Sequence, residues 1–218
     1  MTQQEITQRV LEEKVIAIVR GIETEKCLKV AEALYAGGIR LMEITYNQKD
    51  PASFQDTANA IAAIGEAYGG NMLVGAGTVT TAELVELTAR AKGKFIISPD
   101  VNIDVIHRTR ELGMVSLPGA LTPTEILTAH HAGADFVKLF PAASLGVDFV
   151  KAVKAPISHV KLMAVGGINE TNVGSFLKAG MCGAGVGGTL TNKEWIEAGE
   201  YGRVAEAAQK LVNAVKAA

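Results

Sequence analysis

One lysine stands inside an apolar segment of the chain. Lys138 lies between Phe136-Val137 and Leu139-Phe140. An ammonium group removed from water is unstable, so its pKa falls toward values at which the neutral amine prevails. A neutral amine attacks carbonyl carbon to form a Schiff base, which makes Lys138 a candidate covalent catalyst. The competing interpretation is a lysine at a strand end that extends its amine to water. On this segment alone, that second interpretation is the commoner one.

A second charged residue, Glu43, lies in the apolar run Leu41–Thr45. Burial raises the pKa of a carboxyl group, and a neighbouring cation lowers it again. Such a group can carry protons to and from a substrate, and a lysine with a glutamate in one cavity would supply the parts of imine chemistry. Equally, Glu43 can complete a structural ion pair with Lys138 or Arg20. The residues alone leave both interpretations open.

Two glycine pairs and an arginine are candidates for binding an anion. Gly166-Gly167 and Gly187-Gly188, the latter followed by Thr189, would let backbone N–H groups approach a phosphate closely. Tight turns explain many glycine pairs equally well. Arg20 suits a phosphate or carboxylate through paired N–H donors, or is a solvated loop charge. These residues therefore predict phosphate binding only if the fold brings them together.

Short apolar runs alternate with helix-like stretches along the whole chain. Runs of this length, bounded by Gly or Pro, indicate buried strands. The eight runs are 15–19, 41–44, 72–77, 95–97, 114–117, 136–140, 160–165 and 184–186. The predicted helices include a short one before the first strand and one over 24–35. Others open at 80–81, 122–125 and 169–172, and a long helix from Lys193 closes the chain.

An unbroken strand–helix alternation implies a parallel sheet. A doubly wound open sheet and a closed barrel both fit. The strand count, the length of 218 residues and the lack of GxGxxG after the first strand favour the barrel. We therefore predict one α/β domain over 1–218, a single (β/α)8 TIM barrel. Polar residues at its strand ends would face one cavity. Thr78 follows Gly75-Ala76-Gly77, whose small side chains leave room there for a substrate or serve packing alone.

The composition excludes several classes of function. A net charge of -2 and an aromatic fraction of 5% offer no footprint for nucleic acid or an anionic membrane. Cys27 and Cys182 show no zinc spacing, and free thiols fit a reducing cytoplasm. We see no signal-peptide pattern at the start and no run long enough to span a bilayer. The four histidines lack metal-binding spacing, so activation of a carbonyl falls to lysine rather than to a metal.

Several of these segments occur together in one known family. They are IVRG at 18–21, EIT at 43–45, VGAGTV at 74–79, ISP at 97–99, PG at 118–119, TPTE at 122–125, VKLFP at 137–141 and GGI at 166–168. In this order and spacing, the chain resembles the class I 2-keto-3-deoxy-6-phosphogluconate (KDPG) / 4-hydroxy-2-oxoglutarate (KHG) aldolases over nearly its whole length.

The resemblance implies roles for individual residues. It implies that Lys138 forms the imine and that Glu43 is the general acid/base. By the same resemblance the substrate carboxylate binds at Thr78 and Pro99, and the phosphate binds at Gly166, Gly167, Gly187, Gly188 and Thr189. Family members are typically cytoplasmic homotrimers that need no metal. We therefore expect a small-molecule substrate, no cofactor and a homotrimer.

Two positions depart from the pattern of the gluconate-specific members. Those members tend to have Arg where this chain has Asn47, and Thr where it has Val165. Together with Arg20, these residues are more similar to the branch that acts on the galactonate-derived epimer. We therefore include Arg20, Asn47 and Val165 among the predicted substrate-binding residues. A phosphosugar isomerase or epimerase, and a non-catalytic sugar-phosphate sensor, are the rival functions on the same fold.

Overall fold

The computed structural model describes residues 1–218 as a barrel of parallel strands surrounded by helices. The strands are β1 Val15–Val19, β2 Leu41–Thr45, β3 Leu73–Gly77, β4 Phe95–Ile97, β5 Val115–Leu117, β6 Gly119–Ala120, β7 Val137–Leu139, β8 Leu162–Val165 and β9 Gly183–Val186. They follow one another around the sheet in the order β5-β4-β3-β2-β1-β9-β8-β7-β6. The prediction of a barrel rather than an open doubly wound sheet is confirmed.

The fifth barrel strand is divided in two by Pro118. Proline has no backbone N–H to donate to a ladder, so β5 pairs with β4 while β6 pairs with β7. The Pro118 carbonyl oxygen still accepts a hydrogen bond from the Lys138 N–H at 2.9 Å. The two pieces therefore close the ring together, which yields nine strands from the eight predicted apolar runs.

The helices cover the outside of the barrel. They are α1 Gln3–Glu13, α2 Thr24–Ala36, α3 Phe54–Tyr68, α4 Ala82–Arg90, α5 Ile103–Glu111, α6 Pro123–His131, α7 Ala142–Lys154, α8 Val173–Lys178, α9 Lys193–Glu197 and α10 Tyr201–Lys216. The prediction of one long helix from Lys193 is wrong, because Gly199 has a φ of 73° and separates α9 from α10. The predicted opening over 169–172 is confirmed, since Asn172 is the residue before the first helical one. None of these helices combines the length and apolar character needed to cross a membrane.

Alternation along each strand divides the side chains between the barrel interior and the helix layer. In the segment around β7, Phe136 packs in the interior cluster, whereas Val137 and Leu139 pack in the outer one. Ile6 and Val10 of α1 belong to the interior cluster, so this helix closes the amino-terminal end of the barrel. The interior is therefore open only at the carboxyl ends of the strands.

Candidate active site

A cavity of about 670 Å³ lies at the carboxyl ends of the strands. It brings together eleven of the twelve predicted site residues. These are Arg20, Glu43, Thr78, Pro99, Lys138, Val165, Gly166, Gly167, Gly187, Gly188 and Thr189.

Asn47 is the predicted site residue that this cavity does not include. It is exposed, its Oδ1 accepts a hydrogen bond from the Lys49 N–H at 3.2 Å, and it lines a neighbouring cavity with Thr45 and Asp50. A role of Asn47 in substrate binding stays a prediction.

Lys138 is inward-facing on β7 and only 8% exposed. Burial lowers the pKa of its amine, the nearby Glu43 carboxyl raises it, and Arg20 lowers it further. The amine lies 5.0 Å from the centre of the Phe140 ring, within the range of a cation–π contact. The net effect is a pKa below the ordinary lysine value, so a larger fraction of the amine is neutral and nucleophilic.

Glu43 is 1% exposed, and its Oε2 atom has no hydrogen-bond partner in the protein. Burial raises the pKa of this carboxyl group, against smaller effects of Lys138 and Arg20 that lower it. Glu43 forms no salt bridge, since neither cation comes within 4.0 Å of its oxygens. The structural ion pair is therefore not formed. A buried, unpartnered carboxyl group is suited to gaining and losing a proton.

The small residues of β3 make room for protein side chains. A methyl group at Gly75 would lie 2.3 Å from the Phe95 ring, and one at Gly77 would lie 1.6 Å from Oε1 of Glu43. Of the two interpretations of these small residues, room for a substrate and packing alone, the contacts at Gly75 and Gly77 favour packing, because Phe95 and Glu43 occupy the space.

Thr78 continues β3 with a φ of 56°, a left-handed conformation that is unusual for a β-branched residue. The Gln48 side-chain amide donates to the Thr78 carbonyl oxygen at 2.8 Å, and Arg20 Nη2 donates to Thr78 Oγ1 at 3.2 Å. These contacts hold a strained residue in place. They also join Arg20 to the edge of the cavity.

The glycine loops form the opposite side of the cavity. Gly166 and Gly167 have φ values of 91° and 73°, which residues with a side chain rarely adopt. The Gly166 carbonyl oxygen accepts from the Ala143 N–H at 3.0 Å, which joins this loop to the start of α7. Thr189 is exposed at the cavity rim, and its hydroxyl donates to Ile168 O at 3.4 Å. Both interpretations of the pairs, tight turns and an open backbone surface, are compatible with this geometry.

Four residues line the cavity that were not predicted to do so: Ile18, Phe140, Ile168 and Gly185. Phe140 is 44% exposed, although its segment reads as a buried strand. Its position two residues after Lys138 is the signal that could have found it, because alternate strand residues share a face.

A barrel with a buried lysine and a buried carboxyl group in one strand-end cavity defines an enzyme site suited to carbonyl chemistry. Comparison with known proteins then identifies the family. The model of the KDPG and KHG aldolase family matches residues 6–207. The chain belongs to this family, and it is therefore an aldolase, a lyase that cleaves carbon–carbon bonds.

Individual relatives agree with this assignment. The chain is 38% identical to a 2-dehydro-3-deoxy-6-phosphogalactonate aldolase of Escherichia coli strain K12, with 80% of this chain and 83% of the relative covered. It is 32% identical to a 2-dehydro-3-deoxy-phosphogluconate aldolase of Treponema pallidum strain Nichols, with 93% of each chain covered. A crystal structure of a KDPG aldolase from Legionella pneumophila, with pyruvate captured as a covalent carbinolamine, is 25% identical. Its TM-score is 0.84, with 97% of this chain and 98% of that chain covered.

Proposed function

We propose that this chain is a Schiff-base aldolase that cleaves a 2-keto-3-deoxy-6-phospho sugar acid of the KDPG type, or 4-hydroxy-2-oxoglutarate, to pyruvate and an aldehyde. The observation that carries the proposal is the burial of Lys138 and Glu43 in one strand-end cavity. The pyruvate adduct captured on the Legionella pneumophila relative adds support.

The proposed reaction uses each group in turn. The neutral Lys138 amine attacks the C2 ketone, and Glu43 donates the proton with which water leaves, so that an iminium ion forms. The iminium ion draws electrons from the C3–C4 bond. Glu43, now a carboxylate, accepts the C4 hydroxyl proton as that bond breaks and the aldehyde leaves. The enamine is then protonated at C3 and hydrolysed, which releases pyruvate and restores Lys138.

The remaining site residues suggest how the substrate is oriented. Thr78 and Pro99 lie on one side of the cavity and are proposed to bind the carboxylate. Backbone N–H groups of Gly166, Gly167, Gly187 and Gly188, with the Thr189 hydroxyl, are proposed to bind the phosphate on the other side. Arg20 lines the same cavity and supplies a cation for either anion.

The galactonate-derived epimer is the second candidate substrate. Val165 lies in the cavity with no hydroxyl to offer the substrate chain, and Asn47 lies outside it. The Escherichia coli relative described above carries the name of an aldolase for this epimer. The test is kcat/KM for the gluconate-derived acid, the galactonate-derived acid and 4-hydroxy-2-oxoglutarate, measured side by side. Release of pyruvate from none of them would contradict the proposed activity and favour an isomerase, an epimerase or a sensor.

Val165→Thr should move this selectivity. A threonine hydroxyl at position 165 gains a partner on one C4 epimer and is left unpaired on the other, which costs on the order of 1–3 kcal/mol. We therefore expect the ratio of the two kcat/KM values to shift about tenfold or more toward the gluconate-derived acid. Val165→Ala is the control, because it removes bulk without adding a hydroxyl. An equal shift with alanine would show that volume, not hydrogen bonding, sets the preference.

We further propose that the reaction needs no metal or cofactor, since the Lys138 iminium itself supplies the electron sink. Activity should survive exhaustive dialysis against EDTA.

The family resemblance supports a homotrimer, for which light scattering should give three times the chain mass of 22.9 kDa. The free thiols Cys27 and Cys182 support a cytoplasmic location, which fractionation of the source cells tests.

A further inference from the structure

The two central glycines of β3 are glycines for different reasons. At Gly75, an added methyl group would meet both the Phe95 ring and the Phe95 backbone oxygen, at 2.3 and 2.4 Å. At Gly77, the three nearest atoms all belong to one side chain: Oε1, Cδ and Cγ of Glu43, at 1.6, 2.4 and 2.7 Å. Only at Gly77 is the obstacle a single, flexible side chain.

The backbone does not demand glycine at position 77. Gly77 is a regular strand residue, is not among the glycines with positive φ, and accepts a hydrogen bond from the Tyr46 N–H at 2.9 Å. Alanine could adopt this conformation without strain. Glycine at position 77 is therefore explained by the space that it leaves for the Glu43 side chain.

Strand register explains how Glu43 reaches Gly77. Glu43 pairs with Gly75, and Thr45 pairs with Gly77, so the glycine lies one inward-facing position further along β3. Side chains in strands lean along the strand, and the Glu43 carboxyl group consequently lies over Gly77. Glu43 lines the cavity, so a carboxyl group displaced from Gly77 would move into that cavity.

We infer that Gly77 is a positioning residue. Because it has no side chain, the Glu43 carboxyl group can occupy the space over its backbone, where it can exchange protons with a substrate bound to Lys138. This inference rests on the proposed function. With alanine at position 77, Oε1 must move by about 2 Å to reach an ordinary contact distance. A misplacement of about 1 Å can cost on the order of 10²-fold in rate.

The test compares Gly77→Ala, Glu43→Ala, the double variant and the wild type. We expect Gly77→Ala to lower kcat by roughly 100-fold with KM changed less than threefold. Glu43→Ala removes Oε1, Cδ and Cγ, the three atoms that the added methyl group would meet. In the Glu43→Ala background, Gly77→Ala should therefore lower the residual kcat by less than about threefold. Gly65→Ala is the control, because nothing lies within 4 Å of a methyl group there.

Thermal unfolding provides a second measure that needs no activity. Gly77→Ala should lower Tm in the wild-type background and much less in the Glu43→Ala background. Equal losses of kcat in both backgrounds, or no loss in either, would overturn the inference. If Glu43→Ala is too slow to assay, equal Tm losses in the two backgrounds overturn the inference instead, and so does a failure to fold in both backgrounds. A wild type that cleaves no substrate contradicts the proposed function, while the Tm values still test the contact itself.

Discussion

The Lys138→Arg variant is expected to lose aldol cleavage by roughly 10⁴-fold or more, a scale typical of removing a covalent nucleophile. Arginine keeps much of the length of lysine but stays protonated, so it cannot attack a ketone. Borohydride added with pyruvate should fix a three-carbon adduct on the wild-type peptide that contains Lys138, and none on the variant. Steady-state kinetics and peptide mass spectrometry measure the two effects.

Lys151→Arg is the matched control, because Lys151 is a surface lysine of α7 with a side chain 63% exposed. It should keep wild-type kcat and wild-type trapping. An adduct on a lysine other than Lys138, or an active Lys138→Arg enzyme, would exclude the proposed nucleophile.

The pH dependence of kcat/KM adds an independent measure of Lys138. Burial lowers the pKa of this amine, and only the neutral form attacks. We therefore expect kcat/KM to fall as the pH falls through that lowered pKa, which lies below the ordinary lysine value. An acid limb at the pKa of an unperturbed lysine would show that burial does not activate the amine.

Glu43→Gln is expected to lower kcat by about 10²- to 10⁴-fold, the usual contribution of a general acid/base. The amide has nearly the shape of the carboxyl group and can occupy the same space over Gly77, but it exchanges no proton. Binding of pyruvate analogues should therefore change little, so that the loss lies in kcat rather than in KM.

Glu66→Gln is the control for this substitution, since Glu66 is exposed on α3. Circular dichroism of both variants checks that the fold is intact. An unchanged kcat for Glu43→Gln would remove Glu43 from proton transfer and leave it a purely structural role.

Much of the fold could be predicted from the sequence because each barrel strand is short, apolar and bounded by a turn. The same regularity places the polar residues that end the strands around one cavity. For this reason the sequence predicts that Lys138 and Glu43 lie in the same site. The divided fifth strand was missed because Pro118 interrupts a ladder whose partners are known only from the register.

Contacts across strands and the paths of loops account for the remaining differences. Arg20 lies one residue after β1 and Asn47 two residues after β2, yet only Arg20 lines the cavity that contains Lys138, and no local pattern predicts this difference. The reason for glycine at position 77 depends on where a side chain of β2 leans, so sequence alone cannot separate it from barrel packing.

The helix α1, which closes the amino-terminal end of the barrel, limits the routes by which substrate and products reach and leave the active site. Because Ile6 and Val10 are buried in the interior cluster, substrate and products can enter and leave only at the carboxyl ends of the strands. Under the proposed chemistry, the aldehyde must depart past the rim of the cavity while pyruvate is still tethered to Lys138. The order of product release therefore follows from the covalent bond between pyruvate and Lys138 rather than from separate exit routes. An aldehyde that has not yet left the cavity can react with the enamine in the reverse direction.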